Sequence, residues 1–269
     1  MNCFVLERRR DESGERMDKR LCLAEAAVIV CLLVTNILSW NVAGGRTRTD
    51  SPKAYWEPDF SQTVWTEEKK LFAEKNSQYL EREALFMRFG AGAVDLCCLG
   101  DSITQKFEWQ DVFPEWRVAN RGIGSDTTDG ALARLDSVIK LSPAVISCML
   151  GINDISIGRT TDEIVTSYQE ILHVIHDELP QTRIIVTSVL PVTEAHSIDN
   201  AEVRALNRAL EGMCELDYVN YLDVYSLFAD ENDNLKEEYA LDNVHLNSIG
   251  YSQWLSALGP VIEQELIAY

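Results

Sequence analysis

Four short segments of this 269-residue chain set reactive side chains among small residues. Gly100-Asp101-Ser102-Ile103-Thr104 offers a serine hydroxyl, and Asn120-Arg121-Gly122-Ile123-Gly124-Ser125-Asp126-Thr127 a glycine-rich turn. Gly151-Ile152-Asn153-Asp154 offers a side-chain amide, and Asp242-Asn243-Val244-His245 a carboxylate three residues before an imidazole. A serine hydroxyl is a poor nucleophile until a base takes its proton. An imidazole, which titrates near neutrality, can be that base, and a carboxylate on the same turn can orient it. Each signal alone is weak. A serine after a strand is usually a helix cap, Gly-x-Asn-Asp is usually only a turn, and Asp-x-x-His is more often a surface pair. Their order along the chain is more specific than any one of them.

That order matters because of the elements between them. Short apolar runs at Ala93–Leu99, Trp116–Asn120, Ala144–Leu150, Arg183–Leu190 and Tyr218–Val224 read as strands. Amphipathic stretches near 126–140, 161–179, 199–214 and 248–267 read as helices, with starts at Thr161 before Glu163 and at Asp199 before Glu202. A further helix is expected over 62–88. Near-continuous apolar strands alternating with helices imply a parallel sheet covered on both faces. The expected fold is therefore a three-layer α/β/α domain with a five-stranded parallel sheet. Such sheets bind ligands outside the carboxyl ends of their strands, where three of the four segments fall. The fourth precedes the last helix.

Taken together, the four segments resemble the blocks of the GDSL, or SGNH, hydrolase superfamily, over roughly residues 90–257. Ala131-Leu-Ala-Arg-Leu-Asp136 resembles the helix after the second block in acetylhydrolase-like and carbohydrate-esterase-like members. The resemblance implies a flavodoxin-like fold and a serine esterase that needs no cofactor and no metal. It implies Ser102 as nucleophile, His245 as base and Asp242 as the carboxylate that orients it. The oxyanion donors it implies are the backbone N–H groups of Ser102 and Ser125 and the side chain of Asn153. In many relatives the position of Ser125 is glycine, so Gly124 is the alternative donor. The substrate implied is a short-chain ester, acetyl first, of a carbohydrate or a lipid. A lysophospholipase or thioesterase acting on longer acyl chains is the second enzyme reading, and a non-catalytic binding module of the same fold is the third. Loops Lys106–Trp116, Ser156–Thr160 and Val192–Asn200 would set the pocket.

Several other assignments are weaker. α/β-Hydrolases share the chain order Ser…Asp…His but need Gly-x-Ser-x-Gly, which no serine here has. Gly122-Ile-Gly124 lacks the third glycine of a dinucleotide loop. Ser125 in its glycine-rich turn is a poor second candidate for the nucleophile. Asp101 and Asp154 read as turn braces, His173 and His176 as exposed helix residues, and His196 as a loop residue that could line the cleft. Asp230–Asn234 begins like a calcium loop, but Leu235 and Leu241 stand where that loop needs glycine and glutamate. Cys97, Cys98 and Cys148 lie in apolar runs and read as core rather than disulfides or zinc ligands.

Charge narrows the partners. The first 53 residues carry 9 basic and 7 acidic side chains; the rest carry 15 and 36, a net charge of −21. A domain so negative repels phosphate backbones, which excludes nucleic acid as a partner. Residues 21–40, LCLAEAAVIVCLLVTNILSW, contain one charged residue, Glu25, and are just long enough to span a bilayer. Six basic residues precede them, so the positive-inside rule makes 1–20 cytoplasmic, 21–40 a signal anchor and 41–60 a linker. The domain at 61–269 would then be extracytoplasmic. A cleaved signal peptide, giving a secreted enzyme, is the competing reading, and Met17 is an alternative start.

Overall fold

A computed structural model describes residues 77–90 and 92–269. The segments expected to be cytoplasmic (1–20), membrane-spanning (21–40) and linking (41–60) lie outside the described residues. No helix among the described residues is long and apolar enough to cross a membrane.

Helix α1 (Ser77–Phe89) is the described end of the helix expected over 62–88. Strands β1 (Leu96–Gly100), β2 (Val118–Gly122), β3 (Val145–Met149), β4 (Arg183–Thr187) and β5 (Val219–Leu222) form one parallel sheet in the order β2-β1-β3-β4-β5. All five lie within or beside the apolar runs read from the sequence. Their side chains alternate between two cores. Cys97, Leu99, Ile146, Cys148, Ile184 and Val186 face one, and Leu96, Cys98, Val145, Met149 and Ile185 face the other. The first core is covered by α7 (Thr161–Glu178) and α8 (Asn200–Met213), through Ile164, Tyr168, Ile171, Val203 and Leu206. The second is covered by α9 (Tyr225–Phe228), through Phe228, and by α10 (Ser248–Ala268), through Trp254, Leu258 and Ile262. Burial on both faces is why the strands read as unbroken apolar runs. Cys97, Cys98, Cys148 and Cys214 are buried free thiols, and burial pushes the Cys97 thiol up to about 11.

Several boundaries differ from expectation. β4 stops at Thr187 because side chains from elsewhere take over the backbone groups that follow: Asn207 Oδ1 accepts the Val189 N–H and Asn200 Oδ1 the Val192 N–H. The stretch 126–140 divides into α4 (Thr128–Ala133) and α5 (Asp136–Ile139), with the break at Arg134, whose side chain turns inward. Helix α7 starts at Thr161, as expected, and is capped by Thr160 in a capping box with Glu163. The expected loop Lys106–Trp116 contains a helical turn, α3 (Trp109–Val112), and Trp109 packs edge-on against Trp254 in the core. His176 is half-buried and stacks on Tyr218 at 3.9 Å rather than lying exposed.

Candidate active site

The first, second and third segments leave the carboxyl ends of β1, β2 and β3, so they meet on one edge of the sheet. β1 and β3 are adjacent strands whose connections leave in opposite directions, the switch point where such folds open a crevice. Gly100 ends β1 under tight restraint: a Cβ there would lie 2.8 Å from the Met149 carbonyl oxygen. Asp101 then caps α2 (Ser102–Gln105), its Oδ1 accepting the Ile103 N–H at 2.9 Å. Ser102 is thus the first residue of a helical turn. Its N–H has no acceptor among the described residues, as the helix start leaves it.

The fourth segment reaches the nucleophile from the far end of the chain. His245 Nε2 lies 2.9 Å from Ser102 Oγ, and His245 Nδ1 lies 2.8 Å from Asp242 Oδ2. Asp242 Oδ1 accepts the N–H groups of Val244 at 2.9 Å and His245 at 2.8 Å. Partial burial raises the Asp242 pKa, but those donors and the His245 imidazole outweigh it and hold the carboxyl well below the usual carboxylate range. An ionised Asp242 fixes the imidazole with its proton on Nδ1, leaving Nε2 free to accept the Ser102 proton. The segment is held by an antiparallel bridge between Ala240 and Leu246 and by Asn247, which caps α10.

The candidate oxyanion donors separate into two kinds. The Ser125 N–H has no acceptor among the described residues. Ser125 occupies the third position of a β-turn closed by the Asp126 N–H on the Ile123 carbonyl at 3.2 Å, with φ of 62°. That backbone conformation suits glycine. The Gly124 N–H, by contrast, is already bound to Gln105 Oε1. Gly124 nevertheless lies against the nucleophile: a Cβ on it would be 3.8 Å from Ser102 Cβ. Asn153, in α6 (Ile152–Ser156), points its Nδ2 at the Asp126 carbonyl (2.9 Å) and at Asp101 Oδ2 (3.3 Å). Gly151, just before α6, has φ of 127° and needs to be glycine.

Beneath these groups lies a polar network that sequence reasoning missed. Arg134 and Asp126 form an ion pair at 2.7 Å with both side chains fully buried, and Arg134 also donates to the Gly100 carbonyl at 3.2 Å. Asp154 accepts the N–H and hydroxyl of Thr128 and the Arg159 guanidinium. The sequence signal was the pair of polar residues Asp126 and Arg134 at the ends of a turn-and-helix segment, which look surface-bound until the segment folds inward.

Two further candidates make local bonds. His196 Nδ1 accepts the Ile198 N–H within its own loop. Asp230 Oδ1 accepts the N–H groups of Asn232 and Asn234, closing a local turn. Beside Asp242 opens a cleft of about 590 Å³, lined by Thr193, Glu194, Asn232, Asn234 and Asn243 among others. Its lining includes carboxylates but no Lys, Arg or His.

Comparison with known proteins places this geometry. The model of the GDSL-like lipase/acylhydrolase family matches residues 98–253, which include all four segments. The chain is 29% identical over 181 residues to chicken platelet-activating factor acetylhydrolase IB subunit alpha2, covering 64% of this chain and 77% of that protein. A GDSL-like lipase structure from Bacteroides thetaiotaomicron superposes with a TM-score of 0.55 at 23% identity, covering 72% of this chain and 97% of the other. A carbohydrate esterase family 3 structure from Talaromyces cellulolyticus gives 0.55 at 20% identity, covering 65% and 99%. At these identities the structural likenesses are likenesses of fold.

Proposed function

Because the chain belongs to the GDSL-like lipase/acylhydrolase family and is a hydrolase of ester bonds, we propose that it is a serine esterase removing short acyl groups, acetyl foremost, through an acyl-enzyme. The observation that carries this reading is the hydrogen-bond chain Asp242–His245–Ser102 at 2.8 and 2.9 Å. Ser102 Oγ attacks the ester carbonyl while His245 Nε2 takes its proton. The carbonyl oxygen gains negative charge, received by the Ser102 and Ser125 N–H groups and Asn153 Nδ2. The intermediate collapses to the acyl-enzyme, and His245 returns the proton to the departing alcohol. Water, deprotonated by His245, then attacks the acyl carbon; the bond to Ser102 Oγ breaks, His245 returns the proton to that oxygen, and the carboxylic acid leaves.

The cleft beside Asp242 is lined by neither Ser102 nor His245. A leaving alcohol that extended into it would be favoured if uncharged and hydroxyl-bearing, such as a sugar, because the cleft's amides can bond hydroxyls and its carboxylates repel a phosphate. Acetyl release also fits the relative named an acetylhydrolase. The domain works outside the cytoplasmic membrane, tethered by residues 21–40 or released by cleavage after them. Protease added to intact cells should remove it, and protection would reverse that orientation.

The test of the chemistry is Ser102→Ala on a chromogenic acetyl ester. Turnover should fall at least ~10³-fold with the melting temperature unchanged, leaving the residual rate that oxyanion donors alone supply. A serine-reactive organophosphonate should add once, at Ser102, by intact mass and peptide mapping. Labelling at Ser125, or turnover that survives the substitution, would sink the assignment. Turnover should decline as the acyl chain lengthens; a maximum at long chains would make the enzyme a lysophospholipase or thioesterase. A wild-type protein with no turnover on any ester would make it a binding module.

A further inference from the structure

The Asp101 carboxyl is almost fully buried, at 1% exposure, and its two oxygens do different things. Oδ1 caps α2 by accepting the Ile103 N–H, while Oδ2 faces Asn153 Nδ2 at 3.3 Å. A cap needs only one acceptor oxygen, and asparagine or serine caps about as well as aspartate. Burying a whole carboxylate is costly without a cation beside it. Among the described residues the side-chain partner of Asp101 is an amide, not a Lys or Arg, and its nearby charges are Asp126 and Asp154. Burial, with those two charges adding to it, pushes Asp101 up to about 7. The cap alone does not account for so expensive a group.

Asn153 supplies what does. Its Nδ2 meets two acceptors, the Asp126 carbonyl and Asp101 Oδ2, so a flipped amide would set Oδ1 against two oxygens. We propose that Asp101 is a positioning residue for Asn153: its Oδ2, accepting from Nδ2, sets the amide so that Nδ2 rather than Oδ1 is presented to the forming oxyanion. Of the two contacts the one to Asp101 is longer, 3.3 against 2.9 Å, so its N–H is the one that can be shared with the oxyanion while Asp101 still fixes the amide's orientation. The inference rests on the reading of Asn153 as an oxyanion donor, and its action is confined to the transition state.

A double-mutant cycle tests it, with Asp101→Asn, Asn153→Ala and the double variant assayed on one short-chain ester. Asp101→Asn keeps an oxygen for the Ile103 cap but turns an NH2 group against the Asn153 NH2. Its kcat should fall ~10–100-fold with KM within about twofold and little change in melting. Asn153→Ala should cost ~10²–10³ in kcat. The double variant should match Asn153→Ala alone within about twofold, because Asp101 acts through a group already gone. Should Asp101→Asn fail to fold, Asp101→Ser, which caps through its hydroxyl but lacks the second acceptor, takes its place in the cycle. Losses that multiply, a loss confined to KM, or a fully active Asp101 variant would each overturn the proposal. An inert Asn153→Ala beside an inactive Ser102→Ala would overturn it while leaving the esterase reading intact. An active Ser102→Ala would instead be the failure of the esterase reading.

Discussion

Ser102 and His245 meet across 2.9 Å, but the two halves of the site are held by opposite means. The nucleophile half rests on buried charge. Asp101, Asp126, Arg134 and Asp154 are each at most 1% exposed, and they lock the turns after β1, β2 and β3 to one another across long sequence separations. The acid–base half lies at the surface. The Asp242 side chain is 51% exposed and His245 18%, and the segment is held mainly by bonds among residues 237–250. In the first half the buried Arg134–Asp126 pair cannot be broken without a loss of stability. The second can be altered with the fold intact. A group that stays still while charge develops gains from a stiff, dry surround, whereas the base must shuttle a proton and tolerates water at its back.

The largest effect on stability should come from breaking the buried pair. Arg134→Met leaves the Asp126 carboxyl buried without its cation, a loss of about 3–5 kcal/mol for pairs of this kind. For a domain of this size that lowers the melting temperature by roughly 10 °C. Asp126→Asn combined with Arg134→Met should melt higher than Arg134→Met alone, because the stranded carboxyl is removed. Thermal melts of the two variants measure this. If the single variant melts like the wild type, the nucleophile half does not depend on buried charge.

The opposite pattern should follow from Asp242→Asn. Asparagine retains an oxygen for the Val244 and His245 N–H groups, so the melting temperature should hold. The imidazole loses the carboxylate that selects its tautomer, and kcat should fall ~10²–10³-fold. A fully buried carboxylate in the same role is worth about 10⁴, and water at the exposed edge of Asp242 softens the loss. A drop in stability comparable with that of Arg134→Met would erase the contrast between the halves.

The same contrast has a pH signature. The raised Asp101 and Asp126 bind protons more readily folded than unfolded, burial pushing them up to about 7 and about 6. Their contribution therefore raises stability as pH falls from about 7 toward 4, where the unfolded carboxylates protonate. Asp242 has the opposite sign: its stabilisation is present above its ordinary pKa and is lost below about pH 4. Melting temperature should climb from pH 8 to 5.5 and drop at more acid pH. Asp101→Asn should shrink the climb by a few degrees and leave the acid drop in place. An identical climb in that variant would show that Asp101 does not titrate in this range.

Much of this was legible in the sequence. Strands buried on both faces leave no polar alternation to misread, and parallel crossovers put their ends, with Ser102, Ser125 and Asn153, on one edge. The order Ser102, Asp242, His245 then needed only the last segment to fold back. The supports were legible in part: Asp101 and Asp154 read as turn braces, as they are, but the buried Asp126–Arg134 pair did not show. Arg134 reads as a surface helix residue because its partner lies eight positions back across a turn, and because buried arginine is rare. The occupied Gly124 N–H depends on a Gln105 side chain reaching from another element. The stacking of His176 on Tyr218 joins residues 42 apart, with no periodicity to announce it.

The smallest expected effect is at Ser125, and it tests whether the nucleophile half needs a side chain there at all. A residue with a Cβ in the left-handed region costs roughly 1 kcal/mol, and Ser125 has φ of 62°. Ser125→Gly removes that cost, while the added freedom of the unfolded chain returns about 0.4–1 kcal/mol against it. The two nearly cancel, so the melting temperature should move by no more than about 2–3 °C. The backbone N–H remains, so kcat on a short-chain ester should stay within about threefold. Ser125→Val sharpens the comparison, because a β-branched side chain fits this φ poorly and should displace the N–H. With the Gly124 N–H engaged by Gln105, no neighbouring amide can replace it, so the valine variant should lose far more turnover than the glycine variant. If Ser125→Gly falls as far as Asn153→Ala while melting normally, the Ser125 hydroxyl itself takes part in the chemistry.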